Sequence, residues 1–269
     1  MPCHGDSLQS PVETASNELY SIDLLLDSAP HTSNLACVQK NRKDPNYIAG
    51  AIANAAAVLI DFDGVIIDSE WPIYQTWRRV FQSQGHELSQ DIYIRCIGSD
   101  FDTWSPPAYL EELTGETFDW DKINAERQVE LTRDLEDAEP MPGAAELLKK
   151  LEHSPSAIVS SSSHRWVDGW MNKLDLMPLV NTTVCKGDAP KIKPAPDLFL
   201  EAARQLNVEP SDCLVIEDSH NGMHAAHAAG MEVLAVPNRL TSILDFSQAA
   251  WFAESLSELI SSDTAQPGS

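Results

Sequence analysis

The chain has 269 residues, enough for one large domain or a core domain with a smaller insert, and its 43% apolar content is ordinary for a globular protein. Its 18 basic side chains face 41 acidic ones, a formal charge of −23. Such a surface repels nucleic acid and anionic membranes, so neither is expected as a partner, and an anionic ligand needs a local cation to hold it.

Residues 1–54 carry weak periodicity. Ser, Asn, Asp and Pro are frequent, and Ile22 to Leu26 is the one compact apolar stretch. The segment reads as an extension, either partly disordered or packed as a short helix on the core. The stretch Met1 to Ser10 lacks the charged-then-apolar layout of a signal peptide. The five cysteines (Cys3, Cys37, Cys96, Cys185 and Cys213) are scattered and odd in number. They fit free thiols in a reducing compartment, hence a soluble, cytoplasmic protein. No apolar run reaches the length of a membrane span.

Five apolar runs then predict buried strands: Ala55–Ile60, Ala157–Val159, Thr182–Cys185, Cys213–Ile216 and Glu232–Val236. Continuous apolar runs of this length suit parallel strands covered on both faces. Helical patterns lie between most of them. Ala144–His153 follows Pro142, Asp197–Leu206 follows Pro196 with Asp197 able to cap it, and Met223–Ala229 stops at Gly230. Strands alternating with helices predict a doubly wound α/β domain.

Residues 69–139 break the alternation with four helical stretches: Trp71–Gln84, Ser89–Ile97, Pro107–Thr114 and Asp121–Leu135. An insert placed directly after the first strand lies over the carboxyl ends of the strands, where α/β sheets bind ligands. The expected division is therefore an extension at 1–54, a Rossmann-like core at 55–68 and 140–260, a helical cap at 69–139 and a tail at 261–269.

Chemistry concentrates at the strand ends. The first strand runs into Asp61-Phe62-Asp63-Gly64-Val65, two carboxylates that are costly to bury without partners and a glycine that lets the chain turn. The bland alternative is a polar turn. The second strand runs into Ser160-Ser161-Ser162-Ser163, either a flexible loop or an anion site ahead of a helix at Trp166–Leu174. Lys193 is framed by two prolines in Lys193-Pro194-Ala195-Pro196-Asp197. The fourth strand ends in a second acidic pair, Glu217-Asp218-Ser219. His220, His224 and His227 recur at helical spacing but do not read as zinc ligands: His220 is expected near the mouth of the site, and the other two as surface or packed residues. Asp68 reads as a turn or cap between core and insert.

These four motifs, in this order, resemble the haloacid dehalogenase superfamily, in the subgroup with a helical cap that contains β-phosphoglucomutase-like phosphatases. The resemblance covers roughly Ala57 to Leu259, and Val236-Pro237-Asn238-Arg239-Leu240-Thr241 shares it. It implies that Asp61 is a nucleophile forming an aspartyl-phosphate and that Asp63 is a general acid and base. It implies Mg2+ held by Asp61, the Asp63 backbone carbonyl and Asp218, with Glu217 either a further ligand or a partner orienting one. It also implies that Ser161, the Ser162 backbone and Lys193 hold the transferring oxygens, with Ser160 the alternative to Ser161 if the register shifts by one.

Within the superfamily, dehalogenases proper lack the second aspartate, since a halide leaves without a proton; Asp63 points to phosphoryl transfer. Mutases of the β-phosphoglucomutase kind carry a His twelve positions after the first aspartate, where this chain has Ile73, and an Arg three residues after a cap-loop Gly, where Gly98 is followed by Ser99, Asp100 and Phe101. Both departures favour hydrolysis over the mutase alternative. Arg165 is a candidate substitute anion contact, or an ordinary surface Arg. Residues 69–139 hold six basic and sixteen acidic side chains and are rich in rings (Trp71, Trp77, Trp104, Trp120, Phe101, Phe118, Tyr74, Tyr93 and Tyr109). That suits a small phosphorylated metabolite, a monophosphate on a sugar or apolar body, unless the rings form the insert's own core. A non-catalytic module that binds a partner through its extension is the remaining alternative.

Overall fold

The computed structural model describes residues 42–98 and 104–261. In chain order the elements are α1 (Pro45–Asn54), β1 (Ala57–Ile60), α2 (Glu70–Ser83), α3 (Gln90–Tyr93), α4 (Pro106–Thr114), α5 (Trp120–Asp134), α6 (Ala144–Leu151), β2 (Ser156–Ser163) and α7 (His164–Lys173). They continue as β3 (Thr182–Lys186), α8 (Asp197–Leu206), β4 (Cys213–Glu217), α9 (His220–Ala228), β5 (Glu232–Ala235), β6 (Trp251–Phe252) and α10 (Ser257–Ser261). All strands run parallel in one sheet of order β3-β2-β1-β4-β5-β6. The chain builds outward from β1 on one side and then on the other, so the switch point lies between β1 and β4, where open sheets bind ligands.

The sheet is covered on both faces: its central strand β1 is apolar and buried at every position, and its neighbours β2 and β4 are apolar through their middles. Val58 and Ile60 of β1 face one core layer with Leu147, Leu148 and Met171 of α6 and α7. Ala57 and Leu59 face the other, with Leu198, Phe199, Ala225 and Ala226 of α8 and α9. α1 belongs to this body: its Ile48 is buried in the first layer, with Ala51 and Ile52 beside it, so the end of the extension is a packed helix. Ile22–Leu26, Cys3 and Cys37 lie outside the described residues. Cys185 and Cys213 are buried free thiols, and Cys96 is buried as well. No helix among the described residues is long and apolar enough to cross a membrane.

Several local expectations change. The stretch 89–97 divides into α3 and a 3-10 turn, Ile94–Cys96. α8 begins at Asp197 itself, with Pro196 at the cap position, so Asp197 does not cap the helix; its charge still favours the first turn. α6 begins at Ala144, behind a left-handed Gly143 whose φ is 88°. β6 has two residues, too short for a pattern to show.

Between β1 and β2 the chain forms the helical segment α2–α5. Tyr74, Trp77, Phe81, Leu88 and Tyr93 make its own apolar cluster, joined by Leu240 from the sheet domain, with Trp71, Trp104, Tyr109, Phe118 and Trp120 packed against them. Arg127 stacks 3.3 Å from the Trp77 ring. The rings are thus committed to packing. Phe101, with Ser99 and Asp100, lies outside the described residues. The segment leaves and returns at one place, where Met141 N–H donates to Ile66 O at 2.8 Å and Ile67 bridges to Pro140.

Candidate active site

Asp61 stands one residue past β1, its N–H bonded to Ile216 O of β4 at 2.9 Å. The chain then turns at Gly64, φ 90°. A β-carbon there would fall 2.5 Å from Asn238 Nδ2 and 2.6 Å from Asp218 Oδ2, so both the turn and the close approach require glycine.

Lys193 is 1% exposed and uses all three of its hydrogens. Its Nζ donates to Asp61 Oδ1 at 2.5 Å, Glu217 Oε1 at 2.7 Å and Val159 O at 2.8 Å. Burial alone would weaken its hold on the proton, but the charges of Asp61 and Glu217 outweigh that and keep it an ammonium. Burial pushes the Asp61 carboxyl up to about 8 against the pull of Lys193, with Glu217 and Asp63 adding to the rise. Asp218 is held well above its ordinary range, by burial and then by Glu217 and Asp61.

This surplus of negative charge bears on the metal question. Ligand oxygens of Asp61, Glu217 and Asp218 lie within 4.8 Å of one another. Asp218 Oδ2 accepts from Asn238 Nδ2 at 2.7 Å and Thr241 Oγ1 at 3.3 Å, whereas its buried Oδ1 has no hydrogen-bond partner. An orphaned carboxylate oxygen beside two more carboxylates and a single ammonium fits a hard divalent cation. Glu217 is differently placed. Besides Lys193 on Oε1, its Oε2 accepts from Asp218 N–H, Ser219 N–H and Ser219 Oγ at 2.9 to 3.0 Å. Both its oxygens are engaged, which suits an orienting partner better than a ligand.

The serine run is strand, not loop: β2 continues to Ser163 and passes directly into α7. Its alternation sorts the hydroxyls. Ser160 and Ser162 donate to Asp63 Oδ2 at 3.3 and 2.6 Å, while Ser161 turns the other way and donates to Gly98 O of the helical segment at 3.0 Å. Asp63 Oδ1 accepts from Ser69 Oγ at 2.6 Å and Trp166 Nε1 at 2.8 Å. Asp61, Asp63, Glu70, Gly98 and Ser160 to Ser162 line one cavity of about 60 Å³. None of the described aromatic rings lines it.

The expected residues therefore gather at the carboxyl ends of β1, β2 and β4, with Lys193 behind the carboxylates. Arg165 is exposed and absent from the cavity lining. Ile73 packs on the aromatic cluster. His220 meets Asp245 O at 2.8 Å, stacks with His224 and meets Phe246 edge to face. Asp68 pairs with Arg239 at 2.7 Å, and that guanidinium lies 4.4 Å over Trp71.

Four contributors escape sequence reasoning. Glu70, in the first turn of α2, lines the cavity; burial, then Asp63 and Asp61, hold its carboxyl well above its usual range. Its place directly after Asp68-Ser69 was the available signal. Asn238 and Thr241, which clamp Asp218, belong to the stretch Val236–Thr241, whose pattern marks the family without giving either residue a role. Trp166 has no sequence signal, because its contact spans 103 residues.

The family model described as haloacid dehalogenase-like hydrolase matches residues 58–236. YhcW of Bacillus subtilis is 32% identical over 205 residues, covering 76% of this chain and 93% of that protein. The fructose-1-phosphate phosphatase YqaB of Escherichia coli is 30% identical over 183 residues, covering 67% and 96%. Among solved structures, β-phosphoglucomutase from Clostridium difficile aligns with a TM-score of 0.62 over 76% of this chain and 93% of that one, at 21% identity, a likeness of fold.

Proposed function

The chain belongs to the haloacid dehalogenase-like hydrolases, and we propose that within them it is a magnesium-dependent, cytoplasmic phosphatase acting on a small phosphomonoester of the sugar-phosphate kind. The observation that carries this reading is that Asp61 and Asp63 line the same cavity with three serines. The fructose-1-phosphate activity named for one relative supports the substrate class. Residues 69–139 act as a cap over the site.

Asp61 attacks phosphorus as the bond to the ester oxygen breaks, forming an aspartyl-phosphate. Asp63 gives a proton to the departing oxygen, then takes one from the water that releases phosphate and regenerates Asp61. Ser161, the Ser162 backbone and Lys193 hold the transferring oxygens, where charge is spread. Asp61, Asp218 and the Asp63 carbonyl would hold Mg2+, whose charge offsets the repulsion between carboxylate and anionic phosphate. With Ile73 packed on the apolar cluster, no His from that position serves a second sugar phosphate, and water is the final acceptor.

The test is release of phosphate from p-nitrophenyl phosphate and fructose 1-phosphate, with magnesium and with a chelator. Magnesium-dependent release that vanishes in Asp61→Asn is expected. Activity that survives this substitution sinks the reading.

A further inference from the structure

We propose that Trp166 is a positioning residue that decides which oxygen of Asp63 carries the transferable proton. The proposal rests on Asp63 being the general acid and base, and it concerns what holds that group in place.

Four donors converge on the Asp63 carboxylate. Three are serine hydroxyls, which rotate and can accept as readily as they donate. The fourth, the Trp166 indole N–H, is a donor only. Its bond to Oδ1 at 2.8 Å favours Oδ1 as the unprotonated oxygen of the acid, because the carbonyl oxygen of a carboxylic acid accepts far better than its hydroxyl oxygen. The proton then sits on Oδ2. That oxygen lies against Ser160 and Ser162, which line the cavity and whose hydroxyls can turn to accept it. In the first step the Oδ2 proton passes to the ester oxygen, which keeps the electron pair of the broken P–O bond. In the second, water returns a proton to Oδ2 as its oxygen bonds to phosphorus and the Asp61–phosphorus bond breaks.

The indole is itself fixed. It lies in the first turn of α7 and meets Trp170, one turn on, edge to face at 5.9 Å. Both rings line a groove of about 430 Å³ whose other wall includes Leu131 and Leu135. Trp166 thus ties Asp63 to the seam between the sheet domain and α5.

Trp166→Phe keeps the ring and deletes the donor. The readout is kcat/KM, which reports the first chemical step, for p-nitrophenyl phosphate, whose leaving group needs no proton, and for glycerol 2-phosphate, whose alkoxide does. The variant should lose about ten-fold more on the alkyl ester than on the aryl ester. In an Asp63→Asn background, the same change should affect both esters equally. Equal losses in the otherwise native enzyme, or a preference that persists without Asp63, overturn the proposal. If Trp166→Phe fails to fold, judged by thermal unfolding, β-(3-benzothienyl)alanine at position 166 keeps the bicyclic ring, lacks the N–H and should show the same preference, whereas Ser69→Ala, which leaves the indole donor on Oδ1, should not. A wild type inactive on both esters overturns the phosphatase reading and this proposal with it. An active wild type with equal losses overturns this one alone.

Discussion

Gly222 stands so close to the Glu217 carboxylate that a β-carbon on it would fall 1.7 Å from Oε1 and 1.8 Å from Cδ. Glu217 cannot retreat, because Lys193 holds one oxygen and three donors hold the other. Gly222→Ala is therefore expected to destabilise the protein by about 3 kcal/mol, read as a lower urea midpoint at unchanged slope. An unchanged midpoint would show that the carboxylate has another place to go.

Lys193→Met leaves Asp61 and Glu217 buried without their cation. A loss of about 3 to 5 kcal/mol in urea unfolding is expected at neutral pH. The deficit should narrow in acid, where Asp61 takes up a proton and needs no cation. Lys193→Arg should not restore stability, since a compact ammonium meets three acceptors here and a planar guanidinium does not fit that space.

Asp218→Asn separates metal binding from packing. The amide oxygen can keep Asn238 and Thr241 while its NH2 occupies the place of the orphaned Oδ1. Magnesium affinity, by calorimetric titration, should fall at least about ten-fold. In chelator the variant should melt above wild type, because a buried charge repelled by Glu217 and Asp61 is gone.

His164 bridges Asp168 at 2.9 Å and Asp188 at 2.7 Å. Burial opposes its charge, but the two carboxylates outweigh it and raise its pKa in the folded state. A raised folded value adds stability that is full below the unfolded value of about 6.5 and fades as pH rises through the folded one. The gap in melting temperature between wild type and His164→Ala should therefore be widest in mild acid and close toward alkaline pH. A gap that widens with pH would contradict the charge pairing.

The sheet was legible because burial on both faces writes an uninterrupted apolar run, as in Ala57–Ile60 and Cys213–Ile216. The acidic pairs at 61/63 and 217/218 were legible for the opposite reason, polar groups where such runs stop. What stayed hidden depends on distance or length. Trp166 reaches Asp63 across 103 residues, β6 is too short to carry a period, and α1 shows its role only through the burial of Ile48. The described rings between 71 and 120 form the insert's own core, the alternative the sequence had offered, though composition alone cannot tell a stacking surface from a small aromatic core.

The departure and return of the helical segment, tied side by side by the Met141–Ile66 hydrogen bond and the Ile67–Pro140 bridge, bear on how this architecture can change. When the two ends of an excursion are already joined, lengthening it costs only slowly growing closure entropy, about 0.6 kcal/mol per doubling. The segment can therefore grow, shrink or be exchanged whole while strand order and the carboxylate pairs stay put. The scaffold separates two parts: a sheet whose strand order fixes where the carboxylate pairs stand, and a joined pair of chain ends at which the length of the excursion is free to vary.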